Sequence, residues 1–310
     1  LNKVARVMFR IKPFMADLET KSDFLPDAEI REMTQLIKYG VPTSEVLPMA
    51  SRVMELAHVE PIGIHVHMGR HSKKIEVWQS WVRHCILLTK RLSDLMGGWV
   101  PEEIDFGGGF PSAPDKDTDV AVRGYDGPTV DQYAAAITDT LRNTMAEVGM
   151  NASGILIEVE PGRGLHCDTG IHLTTVRNIK EEKEHRPRKW AEFDTSEVFL
   201  GVPGLNDEPP FDIVFANKAD AAHEITTDLV GQTCNAELLF NQVDAPVLEE
   251  GDVIALLNTG SYNEPMAANF NALPRPGTVL VCGDQADLIK RAETVDEVFA
   301  RDSIPERLRK

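Results

Sequence analysis

Cysteine is scarce in this chain, with four residues in 310 (Cys85, Cys167, Cys234 and Cys282) and no C-x-x-C pair among them. That spacing argues against a zinc knuckle and against a disulfide framework, and it favours a reducing, cytoplasmic setting. Long hydrophobic runs are also missing. The longest, such as Val253–Leu257 and Val279–Cys282, are strand-sized, far short of the roughly 20 residues a membrane-spanning helix needs. Basic residues are in the minority, 32 Lys and Arg against 49 Asp and Glu, for a formal net charge of −17. Nucleic acid is therefore not expected as a partner, since its phosphates demand a basic face; the charge reads as a solubilising surface. The opening LNKVARVMFRIKP has no signal-peptide layout and begins on Leu1. It reads as if the chain starts just before a buried strand.

A hydrophobic content of 42% with 26% charged residues is that of a soluble globular protein. The length suffices for two domains and a substantial core. The first part alternates strand-like and helix-like patterns, which predicts βα units around a parallel sheet. Strands are expected at Val4–Ile11, Ile62–His67, Glu103–Phe106 and Ile155–Val159. Between Val130 and Val148, Tyr133, Ile137, Leu141, Met145 and Val148 fall at spacings of three and four, one face of a helix. Thr129 suits its N-cap and Gly149 its stop. Trp81, Cys85, Leu88, Leu92 and Leu95 form a second stripe, read as core. Beyond about residue 165 come short β-branched runs (Ile171–Ile179, Ala222–Leu229, Val253–Leu257, Thr278–Val281) between polar turns. These predict an antiparallel β domain over residues 166–310, with the charged Glu181–Lys189 as an exposed hairpin tip.

Two segments place backbone amides directly after a strand. Gly107-Gly108-Gly109 has no Cβ to keep an anion away, so its N–H groups can line one concavity. In Glu160-Pro161-Gly162-Arg163 a glycine amide and a guanidinium sit together, a clamp suited to phosphate. In a (β/α)8 barrel the loops after the last two strands commonly form a phosphate site. A phosphorylated ligand at the top of such a barrel is therefore the expectation from the residues alone. The chemistry calls for no metal.

The ordered series His65-Val66-His67-Met68-Gly69, Asp105-Phe106-Gly107-Gly108-Gly109-Phe110-Pro111 and Glu158-Val159-Glu160-Pro161-Gly162-Arg163 resembles that of the type III pyridoxal-phosphate decarboxylases, the diaminopimelate and ornithine decarboxylase family. Lys38-Tyr39-Gly40-Val41-Pro42, Gly231-Gln232-Thr233-Cys234, Glu250-Gly251-Asp252, Gly260-Ser261-Tyr262 and Phe270-Asn271 with Pro274-Arg275-Pro276 resemble further elements of that family, in order over nearly the whole chain. The resemblance implies strands 5 to 8 of a (β/α)8 barrel over residues 1–165, followed by the β domain. It implies pyridoxal 5'-phosphate as cofactor, an amino acid as substrate and a homodimer with shared active sites. Glu160 would pair with the pyridine nitrogen and His67 would stack on the ring, although His65, two residues away, shares its strand face. Gly107, Gly108, Gly109, Gly162 and Arg163 would hold the phosphate, with Tyr262 donating its hydroxyl and Arg10 lying near the cofactor. Cys234 would reach the partner's site as proton donor at the carbon that loses CO2; the other three cysteines are assigned to packing.

The sequence also departs from the pattern. The family's cofactor-anchoring lysine sits on the first barrel strand, and none of Lys3, Lys12, Lys21 or Lys38 matches it. The expectation is an N-terminally incomplete sequence. Asn235 stands where diaminopimelate decarboxylases carry Glu and ornithine decarboxylases Asp, with Glu237 as a rival for that place. Glu208-Pro209-Pro210-Phe211 lacks the arginine and tyrosine that bind a distal carboxylate, and Arg70 replaces a serine. The expected function is amino-acid decarboxylation, with a substrate other than standard diaminopimelate or ornithine, or bound differently. Racemisation on the same cofactor, an inert regulatory homologue and a generic barrel phosphate binder are the alternatives.

Overall fold

Strand β1 (Ala5–Ile11) alternates exposed and buried residues because its two faces meet different surroundings. Phe9 and Ile11 are buried, and Arg10 between them points the other way. In β2 (Val59–Val66) Ile62, Ile64 and Val66, at every second position, are buried; β3 (Glu103–Asp105) buries Ile104, and β4 (Leu156–Glu158) completes the set. These four strands form one parallel sheet in chain order, β1-β2-β3-β4. The computed structural model describes residues 3–12, 38–67, 72–112, 127–201, 211–235 and 237–309, and the chain divides into two compact units, Leu1–Leu165 and His166–Lys310.

Helices α1 (Thr43–Val53), α2 (Ile75–Leu95) and α3 (Val130–Glu147) alternate with the strands. This makes the first unit a run of βα units, four of the eight strands that a (β/α)8 barrel needs to close. Trp81, Cys85, Leu88 and Leu92 of α2 and Tyr133, Ile137, Leu141 and Met145 of α3 are buried against Phe9, Ile64, Val66 and Ile104 of the sheet. Leu95, expected in the same stripe, is half exposed, because it falls in the helix's last turn where the core ends. Trp78 stacks on Phe110 at 4.3 Å and meets Tyr133 edge-on at 5.5 Å. Helix α3 starts at the expected Thr129, which forms a reciprocal capping box with Gln132, and Gly149 follows its end at φ +73°. Gly40 has φ +76°, and a Cβ there would lie 2.6 Å from the Ile11 carbonyl carbon. That close approach explains a glycine in the Lys38–Pro42 segment.

The second unit is a six-stranded sheet of β5 (Ile171–Glu182), β6 (Arg188–Phe193), β7 (Ile213–Phe215), β8 (Ile225–Val230), β9 (Leu238–Ala245) and β10 (Val253–Leu257), in the order β7-β10-β5-β6-β8-β9. Its pairings are antiparallel except one: β6 runs parallel to β8. The expected antiparallel β domain is present, with this one parallel pair arising because β7 leaves β6's edge for the far side of the sheet and β8 returns to it. Val176, Phe193, Leu229, Phe240, Ile254 and Leu256 form its core. The turn between β5 and β6 falls inside the charged Glu181–Lys189 segment. A separate hairpin, β11 (Thr278–Cys282) with β12 (Gln285–Lys290), precedes the short helix α4 (Val295–Val298). Cys85 and Cys167 are buried, as expected of packing residues, but Cys282 is exposed on that hairpin. The β-branched pattern around Cys282 marks a strand and says nothing about which of its faces is covered.

Candidate active site

The polar face of the parallel sheet opposes the helix-covered one. Register puts Arg10 beside His65, His65 beside Asp105, and Asp105 beside Glu158, one row of side chains across four strands. Apolar residues at the alternate positions go to the core, so the ionisable groups collect on the other side. Arg10 holds its guanidinium 5.1 Å from the centre of the Tyr39 ring. Gly63, in β2, has no side chain because a Cβ there would lie 2.1 Å from the Glu103 carbonyl oxygen.

Three side chains converge just past the strand ends. His65 Nε2 lies 3.2 Å from Glu160 Oε2, and His67 Nδ1 lies 3.3 Å from the same oxygen. Asp105 Oδ2 is 3.8 Å from His65 Nε2. His65 and Asp105 are largely buried, with side-chain exposures of 16% and 13%; Glu160 is half exposed at 51%. Burial pushes the Glu160 carboxyl up, but the two imidazoles beside it, His67 and His65, together outweigh that and hold the group below its ordinary value. The carboxylate is thus an anion set against imidazoles. His65, His67 and Glu160 bring one ligand-type atom each within 4.8 Å of one another, a grouping that could take a metal ion. The backbone N–H of Gly108, however, donates to His67 Nδ1 at 3.0 Å and occupies the lone pair a metal would use.

The glycine turn does more than leave space. Gly107 has φ +66° and a Cβ there would lie 2.4 Å from the Val66 carbonyl oxygen. A Cβ on Gly108 would meet the Glu160 carbonyl oxygen at 2.6 Å and His67 Cε1 at 2.9 Å. Gly107 N–H donates to Asp105 Oδ1 at 2.7 Å, and Glu160 N–H donates to the Gly107 carbonyl at 2.9 Å. The expectation that the N–H groups of Gly107, Gly108 and Gly109 line one anion cradle is therefore corrected. Those of Gly107 and Gly108 are used inside the protein, by Asp105 and His67. Gly109, at φ +100°, and Gly162, at φ +38°, keep the conformations only glycine adopts readily. Arg163 opens a helical turn, Arg163–His166, immediately after Gly162.

In the second unit, Cys234 is exposed and its Sγ accepts from Asn271 Nδ2 at 3.3 Å. Asn271 sits at φ +54° in the Phe270–Ala272 turn. Asn235 Nδ2 donates to Glu197 Oε1. Glu237 is buried; its carboxylate accepts from Ser196 Oγ at 2.5 Å and from the Thr233 hydroxyl. Its closeness explains Gly231, where a Cβ would lie 1.8 Å from Glu237 Oε2. Tyr262 is exposed and adopts φ +66°, uncommon for an aromatic residue and of the kind that gathers at functional sites. Met68, Gly69, Arg70, Lys21 and Glu208-Pro209-Pro210 lie outside the described residues. The sequence reading missed Asp105, Asn271 and Glu197. Asp105 could have been found from Asp-x-Gly, since a short acid often accepts from the N–H two residues on. Asn271 and Glu197 lie 37 and 38 residues from their partners, and no local pattern joins them.

Residues 5–166 match the profile of a family described as pyridoxal-dependent decarboxylase, pyridoxal binding domain. The diaminopimelate decarboxylase of Methanothermobacter thermautotrophicus is 29% identical over 279 residues, 89% of this chain and 61% of the relative. That of Bacillus subtilis is 27% identical over 263 residues, 81% of this chain and 54% of the relative. The chain thus spans between about half and two thirds of their length. Among solved structures, the diaminopimelate decarboxylase of M. jannaschii superposes with a TM-score of 0.80 at 24% identity, covering 99% of this chain and 65% of that one. The Helicobacter pylori diaminopimelate decarboxylase complexed with L-lysine gives 0.73 at 20% identity, over 96% and 67%. This chain shares the fold of the matching two thirds of those structures.

Proposed function

This chain belongs to the pyridoxal-dependent decarboxylases, and we propose that it carries much of the site of a pyridoxal 5'-phosphate-dependent amino-acid decarboxylase of the diaminopimelate class. The observation that carries this reading is Glu160, an anion flanked by His65 and His67 at the open end of a parallel sheet, beside a glycine turn. The cofactor fits this donor set. A carboxylate held ionised is the partner a protonated pyridine nitrogen needs, and the space a Gly108 side chain would fill is taken by His67, the ring expected to stack on the cofactor. At the phosphate end, we assign Gly109, Gly162 and Arg163 to the anion, with Gly107 and Gly108 serving the scaffold.

When bound, the pyridoxal ring supplies the electron sink that receives the electron pair of the breaking C–C bond. Glu160 keeps its negative charge toward the ring nitrogen. Gly162 and Arg163 orient the phosphate, a planar guanidinium being suited to two of its oxygens at once. Cys234, contributed to the second copy's site, would be the proton donor there, with Asn271 fixing its sulfur. Asn235 is hydrogen-bonded to Glu197, so a substrate's distal end held there would meet one carboxylate and one amide rather than a lone acid. The partners in this reading are an amino acid and a second copy of the protein, in a cytoplasmic setting that the free cysteines favour.

The test uses protein from the complete reading frame in which these 310 residues lie. It is incubated with pyridoxal 5'-phosphate, reduced with borohydride and analysed by mass. Support is a visible absorbance band and a covalently fixed cofactor. A colourless protein without adduct would sink the proposal.

A further inference from the structure

His65 and His67 both reach the same Glu160 oxygen, and the geometry divides their labour. We propose that His65, backed by Asp105, is the positioning residue that holds the Glu160 carboxylate, and that His67 is not its hydrogen-bond donor. This rests on the reading of Glu160 as the partner of the cofactor's ring nitrogen.

Backbone N–H directions are fixed by the chain, whereas the proton of a neutral imidazole sits on one nitrogen or the other. Gly108 N–H donates to His67 Nδ1 at 3.0 Å. That nitrogen is then an acceptor, and its proton is on Nε2. One ring nitrogen cannot accept from Gly108 and donate to Glu160 at once, so the 3.3 Å approach of His67 Nδ1 to Glu160 is a contact between two electron-rich atoms. The glycine turn enforces this arrangement. Gly108 is placed by its neighbour Gly107, whose N–H is anchored on Asp105 Oδ1, and any side chain at Gly108 would strike the His67 ring.

His65 faces the opposite situation. Its Nε2 looks at two carboxylate oxygens, Glu160 Oε2 at 3.2 Å and Asp105 Oδ2 at 3.8 Å. A lone pair there would oppose two anions, so Nε2 carries the proton and donates it to the nearer oxygen. The donor is also the better fixed of the two rings. His65 lies within β2 and its side chain is 16% exposed, against 41% for His67, which lies beyond the strand end. Asp105 has two roles, holding the glycine turn through Oδ1 and backing His65 through Oδ2. Glu160 is thereby locked on one side and leaves its other oxygen for a ligand. His67 stays available to present its ring face.

Two measurements test this. In the chain labelled with ¹⁵N in its histidines, long-range ¹H–¹⁵N spectra report which ring nitrogen is protonated, and single substitutions identify the signals. Protonation on Nε2 is expected in both rings, and Glu160→Gln should move the His65 signals while leaving those of His67. A proton on His67 Nδ1, or a response of His67 without His65, would overturn the proposal. The second measurement is the affinity of the protein from the complete reading frame for pyridoxal 5'-phosphate, by equilibrium dialysis. His65→Gln keeps an N–H donor near the Nε2 position and should bind within about twofold of wild type, whereas His65→Leu should bind roughly tenfold more weakly, the scale of one charge-assisted hydrogen bond. Equal losses in both variants, with unchanged circular dichroism, would refute the positioning role. Failure of the wild type to bind would count against the proposed cofactor, and the histidine spectra would still decide the division of labour.

Discussion

Glycine and glutamate carry the sharpest consequences at the scale of single residues. Gly108 cannot gain even a methyl group without moving His67 or the Glu160 backbone, because contacts of 2.6 and 2.9 Å await it. Gly108→Ala should therefore cost about 1–3 kcal/mol of overpacking and weaken cofactor affinity, read by thermal melting and equilibrium dialysis on the same sample; a variant that melts and binds like wild type would mean the turn is looser than described. Glu237 offers a contrast. Its buried carboxylate accepts from Ser196 and Thr233, so its work is to brace the Gly231–Asn235 loop. Glu237→Gln keeps one carbonyl oxygen for the two hydroxyls but sets an NH2 group against the Thr233 N–H, and should cost roughly 1–3 kcal/mol of stability. Its ratio of kcat/KM values for ornithine and diaminopimelate should stay as in wild type. A changed ratio without a lower Tm would return Glu237 to the substrate site. The sequence alone left Asn235 and Glu237 as rivals because they lie two residues apart in one loop, and only burial separates them.

Elements are where the sequence was most readable. The three-and-four spacing of Tyr133, Ile137, Leu141 and Met145, with Thr129 before it, gives α3 with its capping box. The strand-then-glycine order places the Gly107 turn correctly. What could not be read was pairing between distant elements: nothing in the composition of β8 says that it lies parallel to β6. Asp228 of β8 shows how such pairings are fixed. It is fully buried, bonded to Arg188 of β6, and accepts from Gln242 N and Nε2 of β9, both at 2.9 Å. Asp228→Asn keeps the shape but loses the charge, and should lower stability by roughly 1.5–3 kcal/mol in denaturant melts; no change in the midpoint would show that the ion pair contributes little. The C-terminal segment responds to acid instead. Hydrogen bonds from Arg275 hold Glu293 at about 2, and those from Arg291 and Thr294 hold Glu297 at about 2, against an ordinary 4.5. Both are depressed in the folded state, so their stabilisation is complete above the ordinary value and is lost as pH falls toward about 2. Amide protection factors in α4, corrected for the intrinsic pH dependence of exchange, should fall across that window and stay flat above it. Loss of protection beginning near neutrality would point to other groups.

For the whole molecule, the four-stranded parallel sheet and the β domain repeat the fold of diaminopimelate decarboxylases while this chain spans between about half and two thirds of such relatives. That fold was legible because the motifs fall at strand ends in order, where a barrel builds its site. The substrate end was less legible, since it is assembled from loops whose partners are far apart in sequence, such as Asn235 with Glu197. Family membership fixes the cofactor's class more firmly than the reaction, because the same electron sink serves more than one outcome at the α-carbon. The most direct measurement is therefore CO2 release by protein from the complete reading frame, supplied with pyridoxal 5'-phosphate and offered diaminopimelate, ornithine or lysine in turn. Cofactor-dependent CO2 from at least one of them, lost in Glu160→Ala, is the expected result. Bound cofactor with no CO2 from any, or racemisation in its place, would contradict a decarboxylase.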